Sequence, residues 1–176
     1  MVTEQDKTLE ALQIAIQMEI DGKEYYVKAS QKSSNELGKR LLASLAVEED
    51  VHRQKFKEIY EAIRSKKAWP VTDFKPDRGK KLRTVFATAT EKIGTKVKAL
   101  DTELEAVEKA MDMENNTYDF YQNRGNDTTH DAERDLYKTL AAEERGHYLV
   151  LLDYYEYLKD PAGWFVKKEH PSLDGG

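Results

Sequence analysis

Residues 45–52 read LAVEEDVH, and residues 140–147 read LAAEERGH. Each stretch is preceded by a matching Met-Glu pair, Met18-Glu19 in the first half of the chain and Met113-Glu114 in the second. All of these positions are offset by the same 95 residues, so no insertion or deletion separates the two motifs in either half. The chain therefore carries the same two motifs twice: a glutamate, and then Glu-x-x-His.

The repeated side chains match the ligand set of a dinuclear metal centre in a four-helix bundle. Such centres take one glutamate from each of two helices and a Glu-x-x-His, whose i, i+3 spacing shares a helical face, from each of the other two. The predicted metal ligands are Glu19, Glu49, His52, Glu114, Glu144 and His147. Four carboxylates balance two divalent cations, which offsets the high cost of burying ionised carboxylates.

The glutamate before each Glu-x-x-His is a rival ligand. Glu48 and Glu143 stand four residues before the histidines, and i, i+4 positions also share a helical face. We prefer Glu49 and Glu144 because Glu-x-x-His is the spacing found at di-metal centres. The alternatives for Glu48 and Glu143 are further ligands, outer groups that contact the ligands, or surface residues.

Two tyrosines are candidates to hydrogen-bond the ligands. Tyr26 and Tyr121 follow Glu19 and Glu114 by seven residues, which is about two helical turns along the same face. A hydroxyl there could donate to a ligand carboxylate, although packing in the core is an equal alternative. We predict no catalytic side chain beyond the metal ligands themselves.

The composition and the apolar spacing predict an all-α protein. Only 4 prolines and 9 glycines occur, and the apolar residues recur with helical period. We predict helix pairs at about 4–65 and 100–159, joined by a partly amphipathic crossover at about 66–100. One connection of this length gives a four-helix bundle the ferritin-like topology. The bundle is expected over residues 1–160, with the tail, residues 161–176, packed on it.

The composition also excludes several classes of function. The chain has no cysteine, which excludes disulfides and Cys-ligated iron sites. Its net charge is −5 with scattered basic residues, so no nucleic-acid partner is expected. No apolar run approaches the roughly 20 residues of a membrane span, and the polar N-terminus does not have the pattern of a signal peptide. A cytoplasmic location is therefore the default expectation.

The chain resembles the rubrerythrin-like branch of the ferritin-like superfamily. The resemblance is carried by AIQMEIDGKEYY at 15–26, LAVEEDVH, KAMDMENNTYDFY at 109–121, LAAEERGH and the ending DPAGWF at 160–165. It implies that the six predicted ligands hold two iron ions per chain. It also implies redox chemistry with hydrogen peroxide or dioxygen, in a cytoplasmic homodimer.

Two departures from that family pattern affect the expected chemistry. Rubrerythrins feed electrons to the iron through a Cys-ligated rubredoxin domain, so this cysteine-free chain would need a separate electron donor such as a rubredoxin. They also carry a further glutamate one turn after the third-helix ligand. That position is Thr117 here, and its repeat equivalent is Gly22, so we expect a symmetric centre with six ligands.

Three functions remain in competition at this level. The first is a di-iron oxidoreductase that uses an external electron donor, and the second is a ferroxidase that handles iron. The third is a non-catalytic bundle stabilised by a metal such as zinc, since nitrogen and oxygen ligands alone do not select iron over zinc or manganese. A dimer that exchanges helix pairs through the long crossover is also conceivable.

Overall fold

Helices account for most of the described residues in a computed structural model, which covers residues 1–66, 68–70 and 74–169. The helices are α1 (Glu4–Lys32), α2 (Glu36–Arg64), α3 (Lys80–Ile93), α4 (Asp101–Asp127), α5 (Asp131–Lys159) and α6 (Pro161–Glu169). No strand occurs in the described ranges, which confirms the all-α prediction. The end of the predicted tail, residues 170–176 with His170, lies outside the described residues.

The four long helices form two antiparallel pairs. Helix α1 packs chiefly against α2, and α4 packs chiefly against α5. Each pair is closed by a three-residue connection, at 33–35 and at 128–130. The two pairs are joined through the crossover that contains α3, so the predicted ferritin-like bundle with one long crossover is confirmed.

The starts of the first two helices follow from local side-chain chemistry. Thr3 and Asp6 form a reciprocal capping box at the start of α1. At the start of α2, the side chain of Asn35 accepts a hydrogen bond from the backbone N–H of Gly38 at 2.7 Å. These caps satisfy backbone donors that have no partner within the helix, and they fix where α1 and α2 begin.

Two apolar clusters fill the bundle, and the repeated motifs lie between them. Tyr26 belongs to the cluster formed around Leu41, Leu45 and Tyr154. Tyr121 belongs to the other cluster, which includes Phe56. Because both tyrosines donate to glutamates of the motifs, the glutamates occupy the layer between the two clusters.

Each end of the bundle is closed by a buried carboxylate. Glu133 of α5 accepts hydrogen bonds from Thr8 and Thr128 and pairs with Arg124. At the opposite end, Glu103 of α4 accepts hydrogen bonds from the side chains of Ser33, Ser34, Asn35 and Tyr154. Buried carboxylates with this many donors are satisfied, and they fix the separation of the helices at each end.

The crossover and the tail pack on the bundle. Helix α3 contacts α2 and α5, and the ring of Phe86 on α3 lies edge-on to Tyr157 and to Trp164 of α6. Tail residues 161–169 therefore lie against the crossover helix. None of the helices in the described ranges combines the length and the apolar character needed to cross a membrane.

Candidate metal centre

The six side chains predicted as ligands come together in the middle of the bundle. Helices α1 and α4 each supply one glutamate, while α2 and α5 each supply a Glu-x-x-His. None of these six side chains is more than 4% exposed: Glu19, Glu49, His52, Glu114, Glu144 and His147. Four buried carboxylates in one place repel one another unless protons or cations compensate them.

The six side chains form two overlapping groups of four. In each group, one ligand atom from every residue lies within 4.8 Å of the others. The first group is Glu19, Glu49, His52 and Glu144, and the second is Glu49, Glu114, Glu144 and His147. The carboxylates of Glu49 and Glu144 belong to both groups, so they stand where they can bridge two ions.

The histidines join the two halves of the repeat. Nδ1 of His52 lies 3.2 Å from Oε1 of Glu144, and Nδ1 of His147 lies 3.2 Å from Oε1 of Glu49. Each Nδ1 also lies 3.5 Å from Oε2 of a second glutamate, Glu19 for His52 and Glu114 for His147. Both Nδ1 atoms therefore face the carboxylates, and each histidine meets the shared carboxylate of the opposite helix pair.

The tyrosines also connect the two halves of the repeat, since each donates a hydrogen bond to a glutamate of the other half. The hydroxyl of Tyr26 on α1 donates to Oε1 of Glu114 on α4, and that of Tyr121 on α4 donates to Oε1 of Glu19 on α1. In both glutamates the other oxygen, Oε2, is the one near the histidine nitrogen. Each tyrosine thus occupies one carboxylate oxygen and leaves the other directed into the site.

Among the residues that the structure describes, several buried oxygen and nitrogen atoms of the site have no hydrogen-bond partner, which suits them to bind metal ions. They are Oε2 of Glu19, Oε1 of Glu49, both oxygens of Glu144, and both ring nitrogens of His52 and His147. Buried polar atoms are almost always satisfied, and each orphan costs about 1–3 kcal/mol. Oxygen and nitrogen donors with four negative charges suit two divalent cations.

The Rubrerythrin family model matches residues 10–155 of the chain. The chain belongs to the rubrerythrin family. The matched range contains all four long helices' motifs, from Glu19 to His147. Neither curated proteins nor solved structures show a significant match to the chain.

Without a metal ion, the rubrerythrin-family site balances its charge with protons. Burial and the neighbouring carboxylates raise the pKa of Glu49 and of Glu114 well above the usual range. Burial alone would lower the pKa of His52 and His147, but the adjoining glutamates outweigh it and raise both values. Burial likewise opposes ionisation of Glu144, yet the two adjacent histidines lower its pKa. A metal ion must therefore displace protons in order to bind.

The structure separates the two rival glutamates that the repeat treats as equivalent. Glu48 is half-buried and belongs to none of the potential ligand groups found among the described residues. Glu143 is 2% exposed, and one of its oxygens lies within 4.8 Å of ring nitrogens of His52 and His147. Sequence spacing alone does not separate them, because their difference arises from what packs against α5.

Neither Thr117, at the position of the further rubrerythrin glutamate, nor its repeat equivalent Gly22 contributes a carboxylate. The hydroxyl of Thr117 donates to the backbone carbonyl of Met113 at 3.1 Å. Gly22 is buried against the site: a Cβ atom there would stand 3.1 Å from Oε2 of Glu49. His130 takes no part in the site, since it is exposed and its ring stacks on Trp69.

Proposed function

We propose that this rubrerythrin-family chain is a di-iron oxidoreductase that reduces hydrogen peroxide or dioxygen with electrons from a separate donor, such as a rubredoxin. The observation that carries the proposal is the pair of carboxylates, Glu49 and Glu144, shared by two buried groups of four ligands. A shared carboxylate holds two ions close together, which is what a two-electron reaction at a dinuclear centre needs. The family match supports iron as the metal.

Each ion would be held by a glutamate and a histidine from one helix pair, together with the shared carboxylates. Glu19 and His52 would serve one ion, Glu114 and His147 the other, and the shared carboxylates would serve both. Reduction of hydrogen peroxide to two waters takes two electrons and two protons, and the two iron ions would supply one electron each. The external donor would replace the electrons that each turnover consumes.

The chain's own residues provide charge, orientation and a dry site. Four carboxylates neutralise the four positive charges of two ferrous ions, so the buried centre carries little net charge. The hydroxyls of Tyr26 and Tyr121 hold Glu114 and Glu19 so that only Oε2 of each is directed to the ions. Because the ligand side chains are buried, bulk water is largely kept from the reacting atoms.

The first experiment is anaerobic loading with ferrous iron, followed by metal analysis and addition of either hydrogen peroxide or dioxygen. We expect two irons per chain and a near-ultraviolet ferric absorption that appears on oxidation and disappears on reduction by a rubredoxin. Glu144→Ala should lose iron, whereas Glu48→Ala, which changes the glutamate next to the proposed ligand Glu49, should retain both ions.

The outcome of this loading experiment also separates the competing functions. Oxidation by dioxygen that outpaces oxidation by peroxide, without turnover by an added donor, would favour a ferroxidase. Zinc that iron does not displace, with no oxidation chemistry, would contradict the redox proposal and favour a metal-stabilised bundle. Either result would leave the ligand set intact and change only the reaction assigned to it.

A further inference from the structure

One buried carboxylate beside the centre has no place in the proposed ligand set. Oε1 of Glu143 accepts a hydrogen bond of 2.7 Å from the backbone N–H of Arg78, which lies in the crossover just before α3. An oxygen of the same carboxylate lies within 4.8 Å of ring nitrogens of both His52 and His147. Glu143 therefore stands between the crossover and the two histidines.

The histidines present their remaining nitrogens without any partner. Nδ1 of His52 and Nδ1 of His147 face the ligand carboxylates, which leaves Nε2 as the nitrogen free to donate. Both Nε2 atoms are buried and have no hydrogen-bond partner among the described residues. The two rings are parallel within 6° and their centroids are 5.5 Å apart, so a single group lying across them can reach both.

The backbone of the crossover lies in close contact with α5 on the histidine side of the centre. A Cβ atom on Gly146 would lie 2.6 Å from the carbonyl carbon and oxygen of Arg78, so only glycine allows the crossover to approach α5 so closely. The ring of Phe74 lies edge-on to His52 with centroids 5.7 Å apart. Arg78 N–H is thus held in a fixed place, and it fixes the carboxylate that it contacts.

We propose that Glu143 is a positioning residue that holds the Nε2–H groups of both His52 and His147 through one bridging water molecule and links them to the crossover. This rests on the proposed metal centre, in which Nδ1 of each histidine binds an ion. Metal-binding histidines commonly donate their other N–H to a carboxylate, which fixes the ring orientation and the tautomer. Here one carboxylate serves two histidines because their rings lie parallel.

A third metal ion held by Glu143 and the two Nε2 atoms is the competing interpretation. It would require each imidazole to bind metal through both nitrogens, and therefore to lose its last ring proton. A neutral imidazole keeps one N–H as a donor, so a carboxylate acceptor suits this nitrogen better than a cation does. The number of ions bound per chain distinguishes the two interpretations.

The test uses zinc, which is redox-silent, and the full chain with histidine labelled by nitrogen-15. Wild-type protein should bind two zinc ions and show slowly exchanging, low-field Nε2–H proton signals from two histidines. In Glu143→Ala, those signals should shift or exchange rapidly, and zinc affinity should fall by about 10- to 100-fold in competition with a chelator. Glu143→Gln keeps the size but only one acceptor oxygen, so an intermediate loss is expected.

The matched control is Glu48→Gln, which changes the repeat-equivalent glutamate on α2 and should leave both the signals and the affinity as in the wild type. Unchanged Nε2–H signals and affinity in Glu143→Ala would overturn the proposal, as would a third zinc ion that disappears in this variant. If Glu143→Ala does not fold, the same comparison is made with Glu143→Gln.

A wild-type chain that binds no zinc would refute the metal centre itself. Two bound ions without peroxide chemistry would refute the redox function and leave the role of Glu143 standing.

Discussion

At the scale of single residues, the site depends on atoms that are missing as well as on those present. Gly22 has no side chain where a Cβ would stand 3.1 Å from the shared carboxylate of Glu49, a separation tighter than most such contacts. The tyrosine hydroxyls, by contrast, act through an atom that is present. Each donates a hydrogen bond to one glutamate oxygen and so keeps that carboxylate from rotating. Small changes at these positions should therefore alter metal binding more than they alter folding.

Replacing Gly22 by alanine should have opposite effects on the metal-free and metal-loaded forms. Alanine is favoured over glycine within a helix by up to about 1 kcal/mol, which should stabilise the metal-free protein. The added methyl group must displace the Glu49 carboxylate by a few tenths of an ångström, so zinc or ferrous affinity should decrease. Gly125→Ala is the control, because its Cβ would have an ordinary 3.5 Å contact and should not change metal affinity. Equal metal affinities of the two variants would contradict the expected contact.

Removing one hydroxyl with Tyr121→Phe should weaken metal binding without emptying the core. The ring keeps its packing against Phe56, but Glu19 loses the donor that fixes its Oε1. Loss of such an outer hydrogen bond typically costs 10- to 100-fold in metal affinity, and we expect about that decrease in chelator competition. Tyr25→Phe removes a hydroxyl that donates to the backbone carbonyl of Ala106, and it should change stability by about 1 kcal/mol without changing metal affinity.

At the scale of secondary-structure elements, the two helix pairs are related by the repeat but differ in what packs on them. Gly146 of α5 corresponds to Val51 of α2, and the valine is 47% exposed. The crossover covers the glycine and not the valine. The positions of the end carboxylates differ as well: Glu133 corresponds to Gly38, and Glu103 corresponds to Thr8. Both end carboxylates therefore come from the α4–α5 pair, at positions where the α1–α2 pair has no acidic side chain.

Gly146→Ala should detach the crossover from the histidine side of the centre. The added Cβ would lie 2.6 Å from backbone atoms of Arg78, which a side-chain rotation does not relieve. We expect a loss of stability of about 1–3 kcal/mol from overpacking and faster amide exchange at Arg78, whose N–H donates to Glu143. Gly125→Ala again serves as the control. Unchanged exchange at Arg78 would show that the close approach of the crossover does not depend on Gly146.

At the scale of the whole molecule, the buried charge makes stability depend on metal and on pH together. A group whose pKa is raised by folding stabilises the folded state below its unfolded value and loses that contribution as pH rises through the folded value. Glu49, Glu114, His52 and His147 all behave in this way in the metal-free protein. The lowered pKa of Glu144 works in the opposite direction, but its contribution is lost only at strongly acidic pH.

The metal-free protein should therefore have a higher melting temperature at about pH 5.5 than at about pH 8. The metal-loaded protein should show the reverse order, because protons compete with the ions for the same carboxylates and imidazoles. Thermal unfolding at both values of pH, with and without a chelator, measures the difference. Equal melting temperatures with and without chelator at neutral pH would count against liganding by these buried residues.

The helix pairs, the crossover topology and the six side chains that meet in the bundle follow from the sequence alone. Their selection was possible because a ligand on an apolar helical stripe must point inward, and an exact repeat marks those positions twice. Only the tertiary structure distinguished Glu143 from Glu48, and only it showed each tyrosine reaching the glutamate of the other half. A repeat gives both halves the same local pattern, whereas the single crossover passes along one side and makes equivalent positions physically different.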